Sequence, residues 1–390
     1  MAGVRRPACA LLAVPSTLII TNDFPPRIGG IESFVSEICT LLDHDVLVYA
    51  SGSANAAASD HDRPFSVVRD GPLLLPTPRV AARAVGLLTA SAATRVIFGA
   101  SAPLGLLAPS LRRAGARQIL GLTHGHETWW ALVPVARRLL RRIGDSCDHL
   151  TTISAYTERR ISCALSPSAR GRLLRLSPPV DTDRFRPPDG AGFRHEARCI
   201  AVARLIPQKG VTTLLRAWRR VMDQAAAGVR ERELVIVGDG PLRPQLERTI
   251  RELQLSGSVR LLGALPRTGV IKFLQQSDVF ALPVRTRLAG LNPEGLGLAA
   301  LEAAACGLPV IIGDSGGAPE TVREGETGFV VPSHDHQLLA ERITLLLDHP
   351  ALAREMGARG RRHVTAHFST TVARATLRDA LNLPDRAAPC

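Results

Sequence analysis

Short apolar runs of strand length alternate with helix-forming stretches along this chain, and the alternation runs through twice. The first series has strand candidates at 16–23, 45–50, 65–69, 95–99, 118–123, 149–153 and 173–177. The second has them at 198–204, 234–237, 258–262 and 278–284, and again from Val310. Runs this uniformly apolar are buried on both faces. Strands of that kind, joined through helices, form parallel sheets with helices on each side. Between the two series lies PPVDTDRFRPP (178–188), a proline-rich stretch that reads as a linker and continues through polar and glycine residues to Gly192. At 390 residues the chain exceeds one ordinary core. Two Rossmann-like α/β domains in tandem are the expected architecture.

The richest chemistry lies between Ala281 and Gly317. A strand is followed by an irregular loop, and Glu294-Gly-Leu-Gly then opens a run rich in Ala and Leu that reads as a helix. Gly307 and Pro309 stop it. A helix N-terminus among small residues offers unpaired N–H groups to a phosphate. Glu294 and Glu302 stand eight residues apart. If both lie on the helix, a rise of 1.5 Å per residue sets their backbones roughly 12 Å apart. Glycosidase carboxyl pairs are closer, about 5 to 9.5 Å. The longer spacing suits two ends of an extended ligand: sugar hydroxyls at one carboxylate, a ribose diol at the other and phosphates between. A helix N-cap or first-turn acid at Glu294 with a solvated Glu302 fits the same spacing.

Other signals sit where open α/β sheets place ligands, beyond the C-terminal ends of strands. Gly29 and Gly30 separate the first strand from a helix at 31–43, which lets a phosphate approach backbone; a plain tight turn is the alternative. Thr123-His-Gly-His-Glu127 follows a strand, so His124 or His126 is either a polar contact to a sugar or a structural histidine; no further ligand cluster supports a metal. Arg204 and Lys209 follow the strand at 198–204 and can neutralise a pyrophosphate or stand solvated. Asp181-Thr-Asp183 matches a D-x-D metal signature, but in a proline-rich stretch it reads as chance. On a helix at 133–144, Arg137, Arg138, Arg141 and Arg142 share one arc, opposite Ala136, Leu139, Leu140 and Ile143. That pattern fits a surface meeting anionic headgroups, and equally an ordinary surface helix.

The net charge of +13 suggests an anionic partner. Nucleic acid is disfavoured, because three Trp and two Tyr supply no stacking platform and no nucleic-acid motif is present. Seven cysteines scattered from Cys9 to Cys390, with no C-x-x-C, read as reduced thiols of a cytosolic protein. Residues 1–14 read as a loose extension, because Pro7 and Pro15 interrupt any signal-peptide helix. No apolar run reaches membrane-spanning length.

In order along the chain stand PPRIGG, THGHE, VDTDRFRP, ARLIPQKG, VGDGP, EGLGLAALEAAACGLPV, SGGAPETV and TGFVV. As a set, covering nearly the whole chain, they resemble glycosyltransferase family 4 of the GT-B fold. TNDFPPRIGGIESF, THGHETWW and RTRLAGLNPEGLG are most similar to its branch of GDP-mannose-dependent phosphatidylinositol monomannoside mannosyltransferases. The resemblance implies two domains facing a cleft: 1–188 for the acceptor, 189–370 for the nucleotide sugar, and 371–390 as a C-terminal helix and tail packing back towards the first. It implies a retaining, metal-independent transfer with no permanently bound cofactor. It places the donor diphosphate at Gly29, Gly30, Arg204 and Lys209. The sugar falls at Glu294, with backbone N–H groups of Leu296 and Gly297 at sugar or phosphate, the ribose at Glu302 and the sugar C6 region at His124. The implied acceptor is an anionic glycolipid, met by a cytosolic protein in peripheral contact with the inner face of the plasma membrane. Asn292 stands where that branch leads one to expect an acid. A soluble aminocyclitol or other secondary-metabolite acceptor, with a UDP- or GDP-sugar donor, is the alternative within the family. A non-catalytic sugar-nucleotide or lipid binder is the alternative outside it. Intact Glu294, Glu302, Arg204 and Lys209 argue against the latter.

Overall fold

The computed structural model describes residues 16–27, 29–54, 56–190, 196–224, 231–287 and 290–383. The extension at 1–14 lies outside them. The chain divides into two compact units. Among described residues, the first comprises 16–151, 162–174 and 376–383; the second comprises 152–161 and 175–375.

The first unit is built on a seven-stranded sheet in the order β3-β2-β1-β4-β5-β6-β7. Its strands are β1 (Thr17–Thr21), β2 (Val46–Ser51), β3 (Ser66–Asp70), β4 (Arg95–Phe98), β5 (Gln118–Gly121), β6 (His149–Thr152) and β7 (Leu173–Arg175). Pairings from β3 across to β6 are parallel. The central strands β1 and β2 are buried at every position, whereas the edge strand β3 is partly exposed along its length. This explains why the central runs are uniformly apolar in sequence.

The second unit holds a six-stranded parallel sheet in the order β10-β9-β8-β11-β12-β13. Its strands are β8 (Glu196–Val202), β9 (Glu231–Val237), β10 (Val259–Gly263), β11 (Val279–Leu282), β12 (Val310–Gly313) and β13 (Gly328–Val331). The helix Val211–Asp223 packs Trp218, fully buried, against this sheet. In each sheet the order reverses beside the first strand, between β1 and β4 and between β8 and β11. Those switch points leave a crevice at the carboxyl ends of the strands, and they fix where a ligand can sit.

The proline-rich stretch is more than a tether. Val180 and Phe185 are fully buried in the core of the second unit, and Val180 pairs with Ser369. Arg361 holds the stretch by donating to the Phe185 carbonyl at 3.0 Å and the Thr182 carbonyl at 3.2 Å. The D-x-D motif has a local explanation here: the Asp181 carboxylate accepts from the backbone of Asp183 and Arg184, closing a turn. The C-terminal helix Thr370–Ala380 passes from one unit to the other within its own length. In the first unit Leu377 and Leu381 are fully buried, and Arg95 donates to the Leu381 carbonyl at 2.8 Å.

Candidate active site

In the second unit the polar groups gather at the switch point. Beyond β8 the chain forms a short 3-10 turn at Pro207–Lys209, ended by Gly210 in the left-handed region, φ 68°. Gly210 is required on packing grounds as well, because any Cβ would strike the Pro283 carbonyl. The turn aims Lys209 Nζ at Glu294 Oε2, 2.7 Å away, in a mostly buried ion pair with side-chain exposures of 21% and 11%. Gln208 fastens the same two segments by donating to the Pro293 carbonyl at 2.8 Å. Arg204 is exposed, and its guanidinium has no partner among the described residues.

Glu294 is not on the helix. The helix spans Leu298–Ala305, and Gly297 precedes it at φ 95°, a left-handed conformation that breaks helical continuity. The sequence expectation of both carboxylates on one helix, about 12 Å apart, is therefore corrected. Glu294 sits in an irregular loop and is neither cap nor first-turn acid. Ser315 holds that loop from behind: its Oγ accepts from the Glu294 N–H at 3.0 Å and lies 2.8 Å from Thr286 Oγ1. Gly317 N–H donates to the Glu294 carbonyl at 2.9 Å. Side chains at Gly316 and Gly317 would collide with the carbonyls of Glu294 and Gly295. Gly316 and Gly317 therefore let two backbones touch, and the loop they hold presents Leu296 and Gly297 at an uncapped helix start.

Glu302 lies one turn into that helix, 16% exposed, with Arg267 Nη2 at 3.6 Å from its Oε1. Burial pushes its carboxyl up to about 7, and Arg267 partly opposes the rise. Arg267 is itself braced over the Phe185 ring, 5.0 Å from its centroid.

In the first unit, Gly29 precedes the helix Gly30–Leu41, whose start carries no side-chain cap. A Cβ on Gly29 would meet the Glu32 carboxylate, whereas one on Gly30 would meet nothing. His124 follows β5, and its Nε2 is 2.5 Å from the carbonyl of Gly99, the residue after β4. The ring nitrogen must donate there, so Nδ1 is left as an acceptor. Burial pushes the imidazole below its ordinary value, keeping it neutral. Phe34 packs edge-on against it at 5.8 Å. Glu127, fully buried, accepts from the N–H groups of His124 at 2.9 Å and Gly125 at 3.1 Å through one carboxylate oxygen.

Residues 191–363 match the family model "Glycosyl transferases group 1", and residues 28–184 match "Glycosyltransferase Family 4". The chain is 43% identical over 362 residues to a GDP-mannose-dependent alpha-(1-6)-phosphatidylinositol monomannoside mannosyltransferase of Mycolicibacterium smegmatis, covering 88% of this chain and 92% of that one. It is 40% identical to a GDP-mannose-dependent monoacylated alpha-(1-6)-phosphatidylinositol monomannoside mannosyltransferase of Corynebacterium glutamicum, covering 90% and 94%. The chain belongs to glycosyltransferase family 4. Among solved structures, Anabaena Alr3699/HepE in complex with UDP superposes with a TM-score of 0.76 at 17% identity, covering 94% of this chain and 99% of that one. Sucrose-phosphate synthase from Thermosynechococcus elongatus gives 0.70 at 20%, covering 93% and 98%. The family's GT-B fold of two parallel-sheet domains accounts for both units.

Against that family frame, the structure brings Lys209, Glu294, Leu296 and Gly297 together in the second unit, with Arg204 and Glu302 on neighbouring elements. Gly29, Gly30 and His124 stand at the switch point of the first. Reading the sequence did not single out Ser315, Thr286, Gln208, Arg267 or Glu127. Ser315 and Glu127 lie inside quoted motifs, SGGAPETV and THGHE, and were findable as buried polar side chains that need partners. Nothing local marks Arg267, whose partner stands on another element.

Proposed function

We propose that the chain transfers mannose from GDP-mannose to a phosphatidylinositol mannoside acceptor, retaining the anomeric configuration. The observation that carries this reading is the mannosyltransferase relatives, 40 to 43% identical over about nine-tenths of the chain. Arg204 and Lys209 meet the donor diphosphate, and Gly29 and Gly30 leave backbone open to a phosphate. Glu294 orients sugar hydroxyls, the Leu296 and Gly297 N–H groups hold sugar or phosphate oxygens, Glu302 takes the ribose diol, and His124 faces the sugar C6 region. The sugar C1–O bond to the diphosphate breaks as an oxocarbenium-like centre forms. The acceptor hydroxyl attacks from the same face, and its proton passes to the leaving phosphate oxygen. The charge that develops on the diphosphate is met by the two cations and the backbone N–H groups, with neither a metal nor a resident cofactor taking part.

Arg137, Arg138, Arg141 and Arg142 are all exposed on the helix Pro134–Ser146, which supports peripheral contact with anionic lipid. No helix among the described residues is long and apolar enough to cross a membrane. Calorimetric titration with GDP and UDP, then transfer assays with GDP-mannose and a phosphatidylinositol monomannoside, test the reading. GDP selectivity with transfer to the lipid is the expected result. UDP selectivity, or donor hydrolysis without lipid transfer, would refute it in favour of a soluble acceptor.

A further inference from the structure

Eight large hydrophobic side chains are exposed among the described residues, and four of them, Trp129, Leu132, Val133 and Val135, fall within seven consecutive positions. Singly exposed apolar residues are ordinary; a run of four at exposures of 42%, 56%, 44% and 66% is not. The run is held in a defined shape. Ala131, Thr128 and Glu127 beneath it are buried, Leu132 N–H donates to the Trp129 carbonyl at 3.0 Å, and Arg137 N–H donates to the Val133 carbonyl at 2.8 Å. The turn therefore presents these side chains outward while its own polar groups are paired.

The same run leads into the basic helix. At about 100° per residue, Val135 falls roughly 20° from Arg142 around the helix and roughly 140° from buried Leu140, at the border between the basic arc and the buried face. Arg138, Arg141 and Arg142 leave their guanidinium groups unpartnered among the described residues, and Arg137 donates to the Cys163 carbonyl. Asp145, the helix's one acid, lies near its C-terminal end and bonds Ser166.

We infer that Trp129, Leu132, Val133 and Val135 form an apolar edge that inserts into the interface of an anionic bilayer, with the four arginines seated on its headgroups. The inference rests on the lipid-acceptor reading. Charge decides the occupant: a second copy of a chain carrying +13 is repelled by the basic arc, whereas anionic lipid is attracted. Chemistry decides the depth, because Trp settles at the boundary between headgroup and acyl chain while Leu and Val reach below it.

The test uses the full chain with vesicles of phosphatidylcholine, with and without phosphatidylinositol, and with brominated acyl chains. Binding to the anionic vesicles is expected, with quenching of tryptophan fluorescence that Trp129→Phe lowers, leaving only the smaller share of half-buried Trp130, since Trp218 is fully buried. Leu132→Asp with Val135→Asp should lower partitioning by about tenfold or more, at about 0.1 M salt and at about 1 M, where charge is screened. GDP titration should be unchanged in that variant, showing an intact fold. Wild-type partitioning in the double variant, or quenching indifferent to Trp129, would overturn the inserted edge; if salt alone then released the protein, the arginine contact would stand without it. No binding to anionic vesicles would remove both. Self-association lost in the double variant, without vesicle binding, would assign the edge to a second copy instead.

Discussion

Lys209 and Glu294 neutralise each other across 85 positions of sequence, and that pairing decides what each can do. Glu294 could not remain a buried, charged, orienting carboxylate without a cation, because an unpaired buried charge is strongly disfavoured. Lys209→Ala should therefore lower kcat/KM by roughly 10²- to 10³-fold, from loss of charge at the diphosphate. Its melting temperature should also drop, because Glu294 is stranded; near-normal kinetics in that variant would remove Lys209 from the mechanism. Glu302 gives a pH signature. Burial pushes its carboxyl up to about 7, against an ordinary 4.5, and in the proposed ribose role only the charged form offers both oxygens as strong acceptors to the two hydroxyls. Donor affinity should rise about tenfold from about pH 6 to about pH 8. Glu302→Gln should bind more weakly at pH 8 and flatten the profile; an unaltered profile would exclude Glu302 as its source. The sign for stability is opposite. Between 4.5 and about 7 the folded protein holds a proton the unfolded chain has released, so this group costs stability as pH rises through that window. The two carboxylates were legible in the sequence as residues. Lys209 was legible as a cation beyond a strand but not as the partner of Glu294, and Arg267 was not legible at all, because both pairings join separate elements.

At the scale of elements, glycines decide where the sequence could be read. The alternation of strands was plain, because central strands buried on both faces leave no polar position to confuse the period. The start of the helix Leu298–Ala305 was not, because helix propensity is blind to the left-handed Gly297 and to a backbone contact with Gly316 and Gly317. Gly316 is at φ 59°, and a Cβ there meets the Glu294 carbonyl, so Gly316→Ala combines strain with collision. It should cost about 1–3 kcal/mol of stability and disturb donor binding more than its melting temperature suggests. Gly30→Ala is the contrasting case. Nothing lies within 4 Å of its added methyl, so melting should be unchanged. Donor affinity should fall only if the Gly29–Gly30 turn approaches the diphosphate. Unchanged donor binding in Gly30→Ala would leave the pair as a plain turn.

At the scale of the molecule, the two series of strands correspond to two sheets, yet the units are not two consecutive pieces of chain. Residues 152–161 stand early in sequence and belong by contact to the second unit. No local pattern announces this, because it is made by long-range bonds. The helix Ala155–Ser162 begins with N–H groups that need acceptors, and the Glu320 carboxylate supplies both oxygens, to Ala155 at 2.7 Å and to Tyr156 at 2.8 Å. A side chain 165 positions away thus caps the helix, and its negative charge also suits the positive end of the helix dipole. Arg175 approaches the same carboxylate at 3.3 Å but is 41% exposed, so it adds little. Glu320→Ala should cost about 1–3 kcal/mol, the range for a lost cap and an unsatisfied charged bond. Glu320→Gln keeps one acceptor oxygen and should fall between. The sharper readout is amide hydrogen exchange at Ala155 and Tyr156. Exchange at those two amides should accelerate in Glu320→Ala while that in the buried strand β12 stays slow. Unaltered exchange at both would mean that the packing around Gly317 and Ser154, rather than the carboxylate, binds this segment to the second unit.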